Sequence, residues 1–290
     1  MLNDRAHVMR LKRIQNLYLK ARRMLAGKKI GDYRSRRVGF GLEFDQLRDY
    51  RVGDNVRFID WKSSARSNKL IVRSYYESHN RTIVLLVDIS ISTSLGSTVS
   101  QKSDIIRDLA IVVSCAAEVE QDHIGLMLFH KEVEKVIPAR MGRKHTAILA
   151  ETLLTAPLIE GGTSLAQVSS ECLQRFDKNV LVILISDCIS GAYETALAQL
   201  ARKNDVVVLR VTDHAEVDIP QELRVVLEDP ETHQIVDGTS QAQMRSVRSY
   251  LAAFREEQDQ LFKRLGIDCF DITVGVPYEQ TLVRFFNERR

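Results

Sequence analysis

Thr82-Ile83-Val84-Leu85-Leu86-Val87-Asp88-Ile89-Ser90-Ile91-Ser92 is the stretch on which the reading of this chain turns. Residues 82–87 form an apolar run of strand length, rich in β-branched side chains, the pattern of a strand buried on both faces. As the chain leaves it, Asp88, Ser90 and Ser92 set one carboxylate and two hydroxyls at alternate positions. These are hard oxygen donors of the kind Mg²⁺ takes, an ion that favours octahedral oxygen coordination and usually keeps some of its water. Two later loops supply more oxygen: Thr163 in Gly161-Gly162-Thr163-Ser164, and Asp187 in Ser186-Asp187-Cys188, directly after the apolar run 180–185. A plainer reading stands beside this one, because Asp and Ser after a strand are ordinary turn and cap residues. Thr163 also precedes a helical pattern and can serve that helix start.

Outward from this stretch, apolar runs of strand length alternate with helical patterns. Residues 82–87, 124–129, 180–185, 206–211 and 267–274 read as strands, and 133–137 as an edge strand stopped by Pro138. Helical spacing joins Ile105, Ile106, Leu109, Val112, Val113 and Ala116, and again Leu165, Val168, Cys172, Leu173 and Phe176. Further helices are expected at about 146–154, 241–265 and 277–290, with two short strands in 224–236 about the turn 229–232. The expected fold class is α/β, a mostly parallel Rossmann-like sheet with helices on both faces. In such sheets ligands bind beyond the carboxyl ends of the strands, where Asp88 and Asp187 both fall.

With 290 residues, 44% hydrophobic and 27% charged, the chain can bury roughly three quarters of its unfolded surface without disulfide support. Cys115, Cys172, Cys188 and Cys269 lie far apart with no Cys-x-x-Cys pair, so reduced, buried thiols are expected rather than zinc or redox sites. No apolar stretch approaches the roughly 20 residues that span a bilayer, and the first residues lack a secretory apolar core. A cytoplasmic location is expected. The net charge of +3 is divided unevenly: residues 1–40 hold twelve Lys/Arg against Asp4 and Asp32, +10, which leaves −7 for the rest. Leu11, Ile14, Leu17, Tyr18, Ala21, Met24 and Leu25 recur at helical spacing, which predicts a basic amphipathic helix that packs its stripe on the body or a partner, or rests on nucleic acid or anionic lipid.

Residues 39–66 are dense in Gly, Arg, acids and aromatics, among them Glu43, Phe44, Arg48, Tyr50, Asp54, Arg57, Asp60, Trp61 and Arg66. Arg and carboxylate partners of this kind can lock an irregular segment through bidentate bonds. The segment reads either as a structural belt held by its aromatic residues or as a partner-binding surface. The organisation expected is therefore a basic helical arm (1–30), a belt (31–80) and the α/β domain (81–290).

Asp88, Ser90, Ser92, Thr163 and Asp187 together resemble the metal-ion-dependent adhesion site of von Willebrand factor A domains, which implies Mg²⁺ or Mn²⁺ held largely by hydroxyls, with one position open to a partner's Glu or Asp. Cys188 departs from that pattern, since many A domains carry Gly there. Gly41-x-Glu43-Phe44, Arg48-x-Tyr50, Gly53-Asp54, Arg57-x-Ile59-Asp60-Trp61, Ala65-Arg66 and the later Asp229-Pro230-Glu231-Thr232 are similar to the hallmark of a bacterial family known as domain of unknown function 58. That resemblance covers about residues 30–275 and implies an adaptor or chaperone-like partner of MoxR-type AAA+ ATPases. Many relatives carry membrane helices ahead of the belt, where this chain has its basic arm.

Three functions follow. The first is a non-enzymatic, metal-dependent protein-interaction module. The second is nucleic-acid or anionic-surface binding by the arm, which has only Tyr18, Tyr33 and Phe40 for base stacking. The third is a Mg²⁺-dependent phosphohydrolase with Asp88 as nucleophile, against which Ser90 stands where a second Asp would be wanted. The chain has no Gly-x-x-x-x-Gly-Lys-Ser/Thr loop, no Gly-x-Ser-x-Gly turn and no His-Glu-x-x-His helix.

Overall fold

The computed structural model describes residues 2–26, 42–51, 54–67, 69–77, 81–94, 101–213, 226–228, 235–237 and 241–288. In chain order the elements are α1 (Leu2–Ala26), β1 (Leu42–Asp49), α2 (Trp61–Ser67), β2 (Ile71–Glu77), β3 (Thr82–Asp88), α3 (Lys102–Val119), β4 (His123–Phe129) and β5 (Val133–Arg140). There follow α4 (Arg143–Thr155), α5 (Leu165–Arg175), β6 (Leu181–Ser186), α6 (Glu194–Lys203), β7 (Asp205–Thr212), β8 (Val226–Glu228), β9 (Ile235–Asp237), α7 (Gln241–Leu265), β10 (Asp268–Thr273) and α8 (Glu279–Glu288). Two units form: residues 1–29 with 81–289, and residues 30–80.

The larger unit is built on a six-stranded sheet in the order β10-β7-β6-β3-β4-β5, parallel except for the edge strand β5. Counted from β3 outward this is the 3-2-1-4-5-6 order of doubly wound sheets, whose switch point lies between the first and fourth strands. Here those are β3 and β6, so the ends that carry Asp88 and Ser186 are neighbours. Alternation builds the layers. Ile83, Leu85, Val87, Leu126, Ile183 and Leu209 face α1, α3, α4 and α8, whereas Val84, Leu86, Met127, Val182 and Val208 face α5, α6 and α7. Both faces are covered, which is why these strands read as unbroken apolar runs.

Several sequence expectations change in detail. The β5 strand continues through Pro138 to Arg140, because the pairing with β4 shifts between Ile124 and Leu126 and a proline at such an irregularity owes the ladder no donor. The α3 helix starts at Lys102, before the apolar pattern begins. The α6 helix was not anticipated. In the larger unit α1 packs Ile14, Leu17, Tyr18 and Ala21 into the core beneath α3, while Leu11 stays 48% exposed. Arg13 binds Asp104 and Asp108, and Lys20 binds Glu279 and lies over the Tyr278 ring. The belt, read as irregular, is largely a hairpin in which antiparallel β1 and β2 enclose a 3₁₀ turn (Val56–Phe58) and α2. Its two strands, Leu42–Asp49 and Ile71–Glu77, mix charged and apolar residues and so read as irregular. The turn 229–232 lies outside the described residues. No helix among the described residues is long and apolar enough to cross a membrane.

Gly125 in β4 marks a tight contact. A Cβ there would lie 2.9 Å from Phe176 Cε1 and 3.1 and 3.2 Å from the Ala139 nitrogen and Ile137 oxygen. Gly125→Ala should therefore destabilise the fold by about 1–3 kcal/mol through overpacking. Urea unfolding should show this as a lower midpoint at unchanged slope.

Candidate metal centre

The β3 strand ends on Asp88, which is 1% exposed. Its Oδ1 accepts bonds from the Ser90 N–H at 2.9 Å and the Ser90 hydroxyl at 2.6 Å, and its Oδ2 accepts the Ser186 hydroxyl at 2.6 Å. Ser90 Oγ lies 2.8 Å from Ser92 Oγ. The Thr93 N–H and hydroxyl both return to the Ser90 carbonyl, closing a 3₁₀ turn over Ile91–Ser94. Ile159 then pairs with both sides of Ser90, donating its N–H to the Ile89 carbonyl and accepting from Ile91 at 2.9 Å each. This tethers the segment that leads to Thr163.

Gly161 and Gly162, at φ +117° and +89°, turn the chain through conformations that L side chains resist. Ser164 donates its N–H to the His130 carbonyl, and the Thr163 carbonyl accepts the Ser190 hydroxyl at 2.9 Å. The Thr163 loop is thus stitched to the loop after β6. The Thr163 hydroxyl itself is buried and makes no hydrogen bond. A groove of about 590 Å³, lined among others by Gly162, Thr163, Gln167, Lys131 and Arg175, opens at this loop.

Asp187, 3% exposed, accepts the Ile189 N–H on Oδ1 at 3.2 Å and the Lys102 ammonium on Oδ2 at 2.9 Å. Cys188 holds φ +60°, a left-handed conformation natural to the Gly seen in many A domains. Two bonds support it. Its N–H meets Ser186 Oγ at 2.9 Å, and its carbonyl accepts Gln258 Nε2 at 2.7 Å, with Gln258 held in turn by Arg210 at 3.1 Å.

Burial pushes the Asp88 carboxyl up, and the charge of Asp187 adds to it; the bonds from Ser186 and Ser90 hold part of that back, leaving about 7. Two buried acids that feel each other, with an orphaned hydroxyl on the adjoining loop, suit a cation. The donor set fits Mg²⁺ or Mn²⁺, being hydroxyls and two acids. Among the described residues no group of three His, Cys, Asp or Glu is gathered for a metal, so any site here is rich in hydroxyls, and an ion with few anionic ligands keeps its attraction for another carboxylate.

Asp88, Ser90 and Ser92 are joined by direct bonds, and Asp187 acts on Asp88 through its charge. Thr163 is linked to them through backbone and Ser190. Sequence reasoning missed Lys102, Ser186 and Gln258. A lysine at the start of a helix normally reads as solvated, so Lys102 carried no signal; Ser186, the last residue of β6, has the same place in its strand as Asp88 and could have been found.

In the belt, Arg48 grips Asp54 with two bonds of 2.7 Å, and Asp54 also accepts the Arg51 N–H. The Arg48 bond, with the Arg51 N–H behind it, lowers the Asp54 carboxyl to about 2. Asp60 starts α2 by accepting the Ser63 N–H, and its other oxygen accepts Arg73 at 2.8 Å. The Tyr50 N–H donates to the Leu70 carbonyl. Trp61 is 68% exposed, and Arg57 and Arg66 are exposed as well. The Glu43 side chain lies outside the described residues.

A doubly wound sheet with one antiparallel edge, and Asp-x-Ser-x-Ser at the end of its first strand, make this an α/β protein whose fold resembles that of von Willebrand factor A domains. Residues 46–260 match the family described as "Protein of unknown function DUF58", and the chain belongs to that family. It is 25% identical over 282 residues to the uncharacterized protein Rv1480 of Mycobacterium tuberculosis, covering 96% of this chain and 89% of that one. It is 26% identical to the uncharacterized protein MAV169 of Mycobacterium avium over 53% of this chain and 94% of the other. Among solved structures it is similar to BatB from Bacteroides thetaiotaomicron, with 14% identity, a TM-score of 0.47 and coverage of 72% and 98%. The SpRpn10 VWA domain follows at 11% identity, a TM-score of 0.41 and coverage of 71% and 95%.

Proposed function

We propose that the protein is a cytoplasmic, non-enzymatic interaction module in which Mg²⁺ or Mn²⁺ is held by Asp88, Ser90, Ser92 and Thr163, supported by Asp187, and completes its coordination with a Glu or Asp of a protein partner. The observation that carries this is the buried Thr163 hydroxyl without a hydrogen bond, since a buried hydroxyl left unpaired costs stability that a metal ligand would recover. The partner we infer is a MoxR-type AAA+ ATPase or its client, as the family resemblance implies. The belt offers a second contact surface, with Trp61 outward.

The phosphohydrolase reading fares worse because both Asp88 oxygens are engaged by Ser90 and Ser186. The arm reading loses force because Arg13 and Lys20 spend their charge on Asp104, Asp108 and Glu279. Nucleic-acid binding would show as steep salt dependence, lowered when the exposed Lys12, Arg22 and Arg23 of α1 are neutralised.

Calorimetric titration with Mg²⁺ and Mn²⁺ tests the site. Native protein should bind one ion, and Asp88→Ala should remove the heat signal. Identical titrations of the two proteins would refute the metal centre. Pull-down with and without chelator then tests the partner, which should be retained only with metal.

A further inference from the structure

We propose that Lys102 is a resident cation of this centre, which holds Asp187 in the absence of a divalent ion and competes with that ion for it; the inference rests on the metal reading above. Lysine ordinarily keeps its ammonium in water, yet the Lys102 side chain is 1% exposed and its Nζ lies 2.9 Å from Asp187 Oδ2, on a side chain with no exposure at all. Lys102 opens α3, and Asp187 follows β6. The pair therefore ties the first helix after the Asp-x-Ser-x-Ser turn to the loop that would serve the metal.

Burial of a charge is tolerated when an opposite charge and hydrogen bonds accompany it. Asp187 fills that role for Lys102. It is also the second acid of the metal site, next to Asp88, whose carboxyl already accepts Ser90 and Ser186. An ammonium and a divalent ion close together in a dry site repel each other. Ion entry must therefore work against Lys102, and the site takes its metal less tightly than its oxygen donors alone would allow. A partner carboxylate brings the negative charge that offsets this repulsion, so ion and partner bind together.

The experiment is calorimetric titration of the full chain with Mn²⁺ and Mg²⁺, comparing native protein, Lys102→Met and Lys102→Arg, with circular dichroism to verify folding. Lys102→Met should bind the ion about tenfold or more tightly than native protein, a step of one decade in Kd, and Lys102→Arg should show no such gain. Thermal unfolding should show a larger Mn²⁺-induced rise for Lys102→Met than for native protein. Should Lys102→Met not fold without metal, Lys102→Gln, which keeps a donor and loses the charge, is read the same way. Equal or weaker binding by the neutral variants, with native binding intact and lost in Asp88→Ala, would overturn the competition while leaving the metal centre standing. Absence of binding in native protein and neutral variants alike would overturn both.

Discussion

Asp187→Ala is expected to lower folding stability by about 3–5 kcal/mol, the effect of removing one partner from a buried ion pair. The reason is local. Lys102 and Asp187 have side-chain exposures of 1% and 0%, so water cannot replace the lost carboxylate around the ammonium. The Ile189 N–H loses its acceptor at the same time, which loosens the loop that Cys188 holds in its left-handed turn. A double variant, Lys102→Met with Asp187→Leu, should recover most of the loss, because an apolar pair of similar volume often replaces a buried ion pair at little net cost. Urea unfolding of the single and double variants reads both effects. Equal midpoints for native protein and Asp187→Ala would show that the pair does not hold this part of the fold. Neither variant should retain metal binding, so stability and binding separate cleanly in the double variant.

Arg210→Met is the second large effect, about 2–3 kcal/mol, the range for losing hydrogen bonds to charged groups from a buried site. Arg210 on β7 is 2% exposed and reaches Asp271 on β10 with two bonds of 2.6 and 3.1 Å, Asp259 on α7 at 2.8 Å and Gln258 at 3.1 Å. The two acids are more than half exposed and would hydrate on its removal, which keeps the loss below that of Asp187→Ala. Gln258 is the vulnerable partner. It is 5% exposed and carries the Cys188 carbonyl on its amide, so releasing it loosens the loop next to Asp187. Amide exchange at Cys188 and Ile189 should accelerate in Arg210→Met while exchange in β3 stays slow. Asp259→Ala, whose acid is a half-exposed partner, should cost less than about 1 kcal/mol. If the two variants matched in stability, the assignment of Arg210 as the central bond-former would fail.

These two networks show where reading the sequence reached its limit. The strands β3, β6 and β7 were legible because burial on both faces demands unbroken apolar runs, and α7 because its pattern is long. The two strands of the belt were not, since they mix charge and apolar residues without a clean period, and the short α6 helix was passed over although Leu197, Leu200 and Ala201 keep helical spacing. That Asp88, Ser90 and Ser92 would gather in one turn was legible because the turn after a strand is local chemistry, readable from adjacent residues.

The order of apolar runs and the donors at their ends were thus decided by the sequence itself, through backbone periodicity and side-chain chemistry that act over a few residues. Which strands became neighbours, and hence that Asp88 would meet Ser186 and feel Asp187, was decided only when the sheet wound in two directions from β3. The same packing drew Lys102 out of water and set it on Asp187. Desolvation depends on the sum of surrounding atoms from distant segments, and no local pattern encodes it.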